Sequence, residues 1–505
     1  MCARHKFTRC TALSAIIAFW GASCVEAREQ PIAFVNVTVV PMDQDTVLPG
    51  QTVLVVGQRI AQIGPATAVR PPADALKIDG RGDFLTPGLA DMHVHLIRSL
   101  DAIRSQKPPS AQASSHAIPP LSASDDHERE NRVLGLLFVS NGITVVRNMW
   151  GDSAIDTFAT EVESRRVLGP HVYSTGPITD GSPSSWQGSR VVATESEAEA
   201  AVEEDVRAHR IAIKVYNGLS AESYHQLVSS ARDHGLPVVG HVPYSVGLRG
   251  VIEARQGSIE HLDGFLEALQ PEPASVTDAT TMRQLLDGAD MRRLPALVDS
   301  IRDNNIWNCP TLVLFENFPE DADWRRKVDL LPPALVERYR RGMPNWSAHP
   351  EGRQRVYDQY LLMVRTLHER GAHLLLGTDT PKPTVLPGFS LYAELRSFVR
   401  AGLTPYEALR AASSDAAIFL RKEKEFGTIG LGMRADLLLL KANPLENIDN
   451  LEQRVGVMVA GQWFTDSELQ RRLLALAHRA DKISNHDSSG DVASDHHRFS
   501  ASAPR

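Results

Sequence analysis

The chain has 505 residues, 43% of them apolar and 23% charged, which is enough for one large domain and a smaller one around a sizeable core. Its formal charge is -8, from 53 Lys and Arg against 61 Asp and Glu. With no long basic run, that balance argues against nucleic acid and anionic membrane surfaces as partners and leaves small molecules or peptides.

Residues 1–27 read as an export signal. Arg4, Lys6 and Arg9 precede the apolar core TALSAIIAFWGA, and VEA ending at Ala27 fits a small-x-small cleavage site. This core is too short for a transmembrane segment, which takes about 20 apolar residues. The expected location is periplasmic or secreted. Lipoprotein anchoring at Cys24 is the alternative, although Gly21 stands where a larger aliphatic residue is usual. Cys2, Cys10 and Cys24 all lie in this segment, so cleavage after Ala27 leaves Cys309 alone and no internal disulfide.

After the signal, IAFVNVTVV and TVLVVGQRIAQIG are β-branched runs, the second turning back at Gly57-Gln58. The same pattern returns near the other end, where ADLLLL and VGVMVAGQWF predict two strands with a turn at Gly461-Gln462. The expectation is one small composite β-sandwich domain formed by both termini, from residues 28–86 and 427–480, the latter with a C-terminal helix.

Between these blocks, residues 87–426 alternate short apolar strands with helical patterns. The strands in order are LADMHVHL, ITVVRNM, HVYSTGPI, AIKVY, PVVGHV, SIEHL, IWNCPTLVL and HLLLGTD. In the helix after AIKVY, Ser220 is the expected N-cap, Glu222 sits in the first turn and Gly235 ends the helix. After HLLLGTD, Thr404 caps and Pro405 takes the first helical position. Eight strand-then-helix units predict an α/β fold, a distorted (β/α)8 TIM barrel, whose reactive groups sit at the carboxyl ends of the strands. An open doubly wound sheet is the runner-up. Residues 101–128, rich in Pro, Ser and Ala, predict a loop over the barrel mouth, residues 265–350 hold extra helices, and residues 481–505 read as a disordered tail.

Several polar residues fall at strand ends. His93 and His95 are two apart, so both project to one face, inward if Met92 and Val94 pack against the helices. His241 ends the fifth strand, His261 the sixth and Asp379 the eighth, while Lys214 sits inside the fourth with Tyr216 on the same face. Four histidines and a carboxylate suit a divalent metal such as zinc. A lysine is out of place beside cations unless burial strips its proton and carbon dioxide converts it to a carbamate, an anion able to bridge two metals about 3.5–4 Å apart.

TPGLADMHVHL, TVVRNM, IKVY, VVGHVP, GSIEHL and GTDT, in that order and flanked by the terminal β blocks, make the chain resemble the amidohydrolase superfamily, in its secreted imidazolonepropionase-like and prolidase-like branch. The resemblance runs from about Ile32 to Thr465. It implies a hydrolase with two divalent metal ions, zinc being expected: His93, His95 and Asp379 on the first, His241 and His261 on the second, and carboxylated Lys214 between them. It further implies attack by a metal-bridging hydroxide, with Asp379 as the catalytic base and one metal, helped by Tyr216 or His241, stabilising the oxyanion. Asn148 stands where related sequences often carry an acid, and YNGLSAESY is a shorter loop than the glycine-rich one prolidase-like members often have.

The expected function is therefore an exported metal-dependent amidohydrolase acting on an amide, a peptide such as an Xaa-Pro dipeptide or an N-acyl amino acid, or a cyclic amide. A lactonase, esterase or phosphotriesterase on the same site is the first alternative, and a non-catalytic exported metal- or ligand-binding protein the second. Asp379 argues against the second, because a binding site needs no proton acceptor. Tyr216 and Arg147 are the candidate substrate-binding residues; Tyr216 could equally fill the barrel, and Arg147 could pair with a buried acid. His116, His127, His171, His225, His234, His349 and His373 read as structural or solvated. The expected partner is a small molecule or dipeptide, and a homo-oligomer stays open.

Overall fold

The computed structural model describes residues 29–97, 127–272, 281–316, 322–332, 335–336, 339, 350–382 and 384–475. The expected signal, nearly all of the expected mouth loop and the expected tail lie outside these residues.

The N-terminal block contributes β1 (Ile32–Val39), β2 (Leu48–Val56), β3 (Arg59–Pro65), β4 (Leu76–Asp79) and β5 (Phe84–Pro87). β1 and β2 are antiparallel, and Gly57-Gln58 form the expected two-residue turn into β3, with Val56 opposite Arg59 and Gly57 at φ 58°. The chain then enters a run of parallel strands: β6 (Leu89–Val94), β7 (Ile143–Asn148), β8 (His171–Ser174), β9 (Ile178–Asp180), β10 (Arg190–Val191), β11 (Ile213–Val215), β12 (Val238–Gly240), β13 (Ser258–Glu260), β14 (Trp307–Cys309) and β15 (His373–Leu374). It ends with β16 (Leu437–Leu440), β17 (Arg454–Val459) and β18 (Gln462–Thr465).

The parallel strands pair in the orders β6-β7-β8 and β10-β9-β11-β12-β13-β14-β15. β8 and β9 are one barrel strand broken at Thr175–Pro177, pairing with β7 below the break and β11 above it. Individual backbone hydrogen bonds cross the two seams between the sheets. Ile211 donates to Ser174 (3.1 Å) and Gly176 to Ala212 (3.2 Å) at one; Met92 donates to Leu376 (2.8 Å), Asp379 to His93 (2.7 Å) and His95 to Thr380 (2.8 Å) at the other. An open doubly wound sheet would leave both edges free. The two sheets instead join into the distorted barrel expected, with helices between successive strands.

Local chemistry accounts for the helix ends. Ser220 accepts from Ser223 N–H at the start of helix Ala221–Asp233, and Gly235 takes φ 67° just beyond it. Thr404 and Glu407 form a capping box at helix Pro405–Ala411, with Pro405 at its first position. Among the described residues, helices Phe265–Ala268, Met282–Gly288 and Ala322–Val328 fall in the region expected to carry extra helices, and no helix is long and apolar enough to cross a membrane.

The terminal blocks share one eight-stranded sheet, ordered β18-β17-β16-β5-β1-β2-β3 with β4 on β1. β5 pairs antiparallel with β16, Leu85 opposite Leu439, and the core beneath joins Phe34, Val37 and Val53 to Leu437 and Met458. The second hairpin turns one residue earlier than expected. Ala460 (φ 47°) and Gly461 (φ 76°) form the loop and Gln462 already pairs with Val459, because two left-handed residues match the twist of the flanking strands.

A second correction concerns Met92. It shares a cluster with Val145, Trp307, Cys309 and Leu375 of other barrel strands as well as with Ala416 and Ala417 of helix Ser414–Phe419, whereas Val94 joins the main core as expected. The register slip between Asp91 and Val94 breaks strict alternation here.

Candidate metal centre

The carboxyl ends of five barrel strands bring His93, His95, Lys214, His241, His261 and Asp379 into one cluster, with His93, Lys214 and Asp379 buried and the other three half-buried. Ring centroids are 5.3 Å apart for His93 and His95, 4.6 Å for His93 and His261, and 5.0 Å for His241 and His261. Asp379 Oδ1 lies 2.9 Å from His95 Nε2 and 3.5 Å from His93 Nε2. One ligand atom each from His93, His261 and Asp379 falls within 4.8 Å of the others. Both His261 and Asp379 take φ 61°, a left-handed conformation costly for a residue with a side chain. Such strain, about 1–3 kcal/mol each, persists where surrounding contacts hold it and gathers at functional sites.

Each of three imidazoles is held through Nδ1: His93 by Glu260 Oε2 at 2.8 Å, His261 by Thr311 Oγ1 at 2.7 Å, and His241 next to Asp263 Oδ2 at 3.3 Å. An oriented Nδ1 leaves Nε2 to bind a cation. Indeed His93 Nε2, His95 Nδ1 and Lys214 Nζ are buried with no hydrogen-bond partner. Orphaned polar atoms in a dry interior are costly, so this cluster fits residents of opposite chemistry to its own: divalent cations for the nitrogens and carboxylate, and carbon dioxide for the amine.

Electrostatics favour the same occupants. Burial brings His261 down to about 3 and His93 well below its usual range, so both imidazoles are neutral and able to offer a lone pair. Burial also lowers Lys214 to about 8, against the upward pull of Glu260 and Asp379, which makes a neutral amine accessible. Burial alone would raise Asp379, but Lys382, His261 and His95 hold its carboxyl well below the usual carboxylate range. Room for the Lys214 stem comes from Gly240, at φ 128°: a Cβ there would sit 3.1 Å from Lys214 Cδ and 2.4 Å from Val215 O.

The expectation that Arg147 binds substrate is corrected. Its side chain is 0% exposed and spends its donors beneath the cluster, on Met92 O (2.5 Å), Ser258 Oγ (3.1 Å) and both oxygens of Glu260 (2.9 Å each). Of the two roles open to it, the buried ion pair is the one the fold makes. Tyr216 lies at the rim, its ring 4.1 Å from that of His241 and 6.3 Å from that of Trp186. Asn148 accepts from Leu96 N–H (2.9 Å) and donates to Ser174 (3.0 Å), tying β7 to β8 and to the segment after β6, a task that uses the amide's donor as well as its acceptor. His171, as expected, is structural, held by Glu163 (2.6 Å) and Asp436 (3.5 Å).

Sequence reasoning missed Glu260, Asp91, Asp263 and Lys382. Asp91 accepts from Thr378 N–H (3.0 Å) and Oγ1 (2.7 Å), clamping the start of the barrel to the loop that carries Asp379. A signal was present for two of them: Asp91 and Glu260 are carboxylates inside wholly buried strands, and a charge there requires a partner. Lys382 sits in a loop, with nothing in its neighbours to mark it.

A model of the Amidohydrolase family matches residues 84–464. The ochratoxinase of Aspergillus niger is 32% identical over 106 residues, 21% of this chain and 21% of that protein, so the chain matches about a fifth of that relative's length. Among solved structures, bottromycin amidohydrolase superposes with a TM-score of 0.68 at 23% identity, covering 90% of this chain and 91% of the other. A Xaa-Pro dipeptidase with methionine bound in its active site superposes with a TM-score of 0.60 at 21% identity, covering 86% and 100%.

Proposed function

The chain belongs to the amidohydrolase family, and on that premise we propose that it is an exported hydrolase cleaving the C–N bond of an N-acyl amino acid, a dipeptide or a cyclic amide. The observation that carries the reading is the cluster of four histidines, a lysine and an aspartate at strand ends, with His93 Nε2, His95 Nδ1 and Lys214 Nζ among the polar atoms left without hydrogen-bond partners in its interior. The C–N bond is favoured because the structural neighbours are named as a dipeptidase and an amidohydrolase. Export rests on the pattern of residues 1–27.

His93, His95 and Asp379 would hold one divalent cation and His241 and His261 another, zinc suiting this donor set. Neutral Lys214 Nζ would add to carbon dioxide, forming an N–C bond as one C=O π pair moves to oxygen and the nitrogen loses a proton, and the carbamate would offer anionic oxygens as further cation ligands. Bound there, such cations make hydroxide available at neutral pH and polarise a carbonyl. Asp379 takes the proton released as the scissile carbon is attacked and returns it to the leaving nitrogen. Glu260 and Thr311 keep His93 and His261 facing inward, and Tyr216 on the rim is placed to meet the substrate.

Metal analysis together with a screen of N-acyl amino acids, Xaa-Pro dipeptides, lactones and a phosphotriester tests the reading. Two zinc-type ions per chain and turnover of a C–N substrate are expected. Turnover confined to lactones or phosphotriesters would reassign the scissile bond, and neither metal nor turnover in any class would overturn the proposal.

A further inference from the structure

Lys382 brings a positive charge to a centre already suited to cations. Its Nζ is 3.5 Å from Asp379 Oδ2 and 5.2 Å from the Trp186 ring centroid, with the side chain 24% exposed. The position is pinned from below: Val385 N–H donates to Lys382 O at 2.9 Å, and Val385 O in turn accepts from Thr380 Oγ1 at 3.0 Å and from the Tyr339 hydroxyl. Contacts then run in an arc from Asp379 through Lys382, Trp186 and Tyr216 to His241, so the ammonium stands on the rim between the two groups of candidate ligands.

Among the described residues Asp379 is the only ion-pair partner of Lys382, and at 3.5 Å the contact is longer than a hydrogen bond. The ammonium keeps three N–H donors for something else. Once Asp379 serves a cation through Oδ1, its single charge is shared between that cation and the ammonium facing Oδ2, and Lys382 is left short of counter-charge. The anion that fits is on the substrate. The α-carboxylate carbon of an acylated amino acid lies two bonds, about 2.5 Å, from the amide nitrogen. If Asp379 reaches that nitrogen, a group one contact further along the rim reaches that carboxylate.

We propose that Lys382 is the specificity-determining residue of the site, binding a carboxylate on the leaving-group side of the scissile amide and so selecting acylated amino acids or dipeptides over neutral cyclic amides. This rests on the hydrolase reading above. The test uses the zinc-loaded full chain with N-acetylated phenylalanine, methionine and proline, each as free acid and as carboxamide, followed by acetate release. Wild type is expected to prefer the acids. Lys382→Met should cut that preference about 10- to 100-fold, mainly through KM, and Lys382→Arg should restore most of it.

A calorimetric arm measures binding of N-ethylphenylalanine, which has no scissile carbonyl, against its carboxamide. Preference for the acid that vanishes in Lys382→Met, without turnover of any substrate, sinks the hydrolase reading and sustains the anion site. A wild type that discriminates in neither arm, or a Lys382→Met variant that keeps the wild-type preference, overturns the proposal even if hydrolysis is confirmed.

Discussion

Replacing Glu260 with glutamine removes one charge and almost no volume, yet the surroundings make it a severe change. Glu260 receives Arg147 at 2.9 Å on both oxygens, Ser258 Oγ at 2.5 Å and His93 Nδ1 at 2.8 Å, with acid and arginine both 0% exposed. Glutamine keeps one acceptor but turns an NH2 toward groups that are themselves donors, and leaves the Arg147 guanidinium in the interior without a counter-charge. Breaking a buried pair from one side costs about 3–5 kcal/mol, whereas Ser258→Ala, which removes a single neutral donor, should cost about 1 kcal/mol. Urea unfolding of the metal-free protein measures the difference, and for a domain of this size the larger loss lowers Tm by roughly 3–7 °C. Because Glu260 also fixes the His93 ring, chelator competition should show metal affinity weakened about 10- to 100-fold. A Glu260→Gln protein as stable as Ser258→Ala, with wild-type metal affinity, would refute the reasoning.

Asp379→Asn should lower turnover about 10²- to 10⁴-fold in a steady-state assay, since the amide cannot take the proton; wild-type turnover rules out its role as base. Lys214→Met should behave oppositely in the two forms of the protein. Without metal it removes an orphaned buried nitrogen and leaves stability unchanged or raised in urea unfolding, while after loading it lowers the metal content measured by elemental analysis. The third concerns pH. Burial alone would pull His171 down, but Asp436 and Glu163 outweigh it and carry the imidazole to about 9. A folded value above the ordinary 6.5 means that stabilisation is complete below about pH 6.5 and lost as pH rises through 9, on the order of 3 kcal/mol in all. Unfolding free energies of wild type and His171→Gln should converge over that window; parallel curves would show that His171 is uncharged.

The alternation of strands and helices, the caps at Ser220 and Thr404 and the polar residues at strand ends were legible because each follows from a short window. A strand shows its burial in its own side chains, and a cap its helix within three or four residues. All six candidate ligands stood out as polar residues in apolar strands or at their ends, the resemblance to the amidohydrolase superfamily gave them their roles, and the structure brings them into one cluster. The turn at Ala460-Gly461 was misplaced by one residue because register is settled by pairing across strands, which no single strand reveals.

What the sequence determined by itself is the ordered set of barrel strands and the donor types each carries to its end, since these depend on periodicity and on side-chain chemistry. What only the tertiary structure decided is how those donors are held and what surrounds them. Glu260 finds His93 across 167 residues and Asp91 finds Thr378 across 287, and both acids are silent until the barrel brings distant strands together. Arg147 became a buried counter-charge instead of a substrate clamp, and Lys382 a cation on the rim, for the same reason. A charged side chain's role is set by the charges and solvent around it, and in this fold those come from other strands.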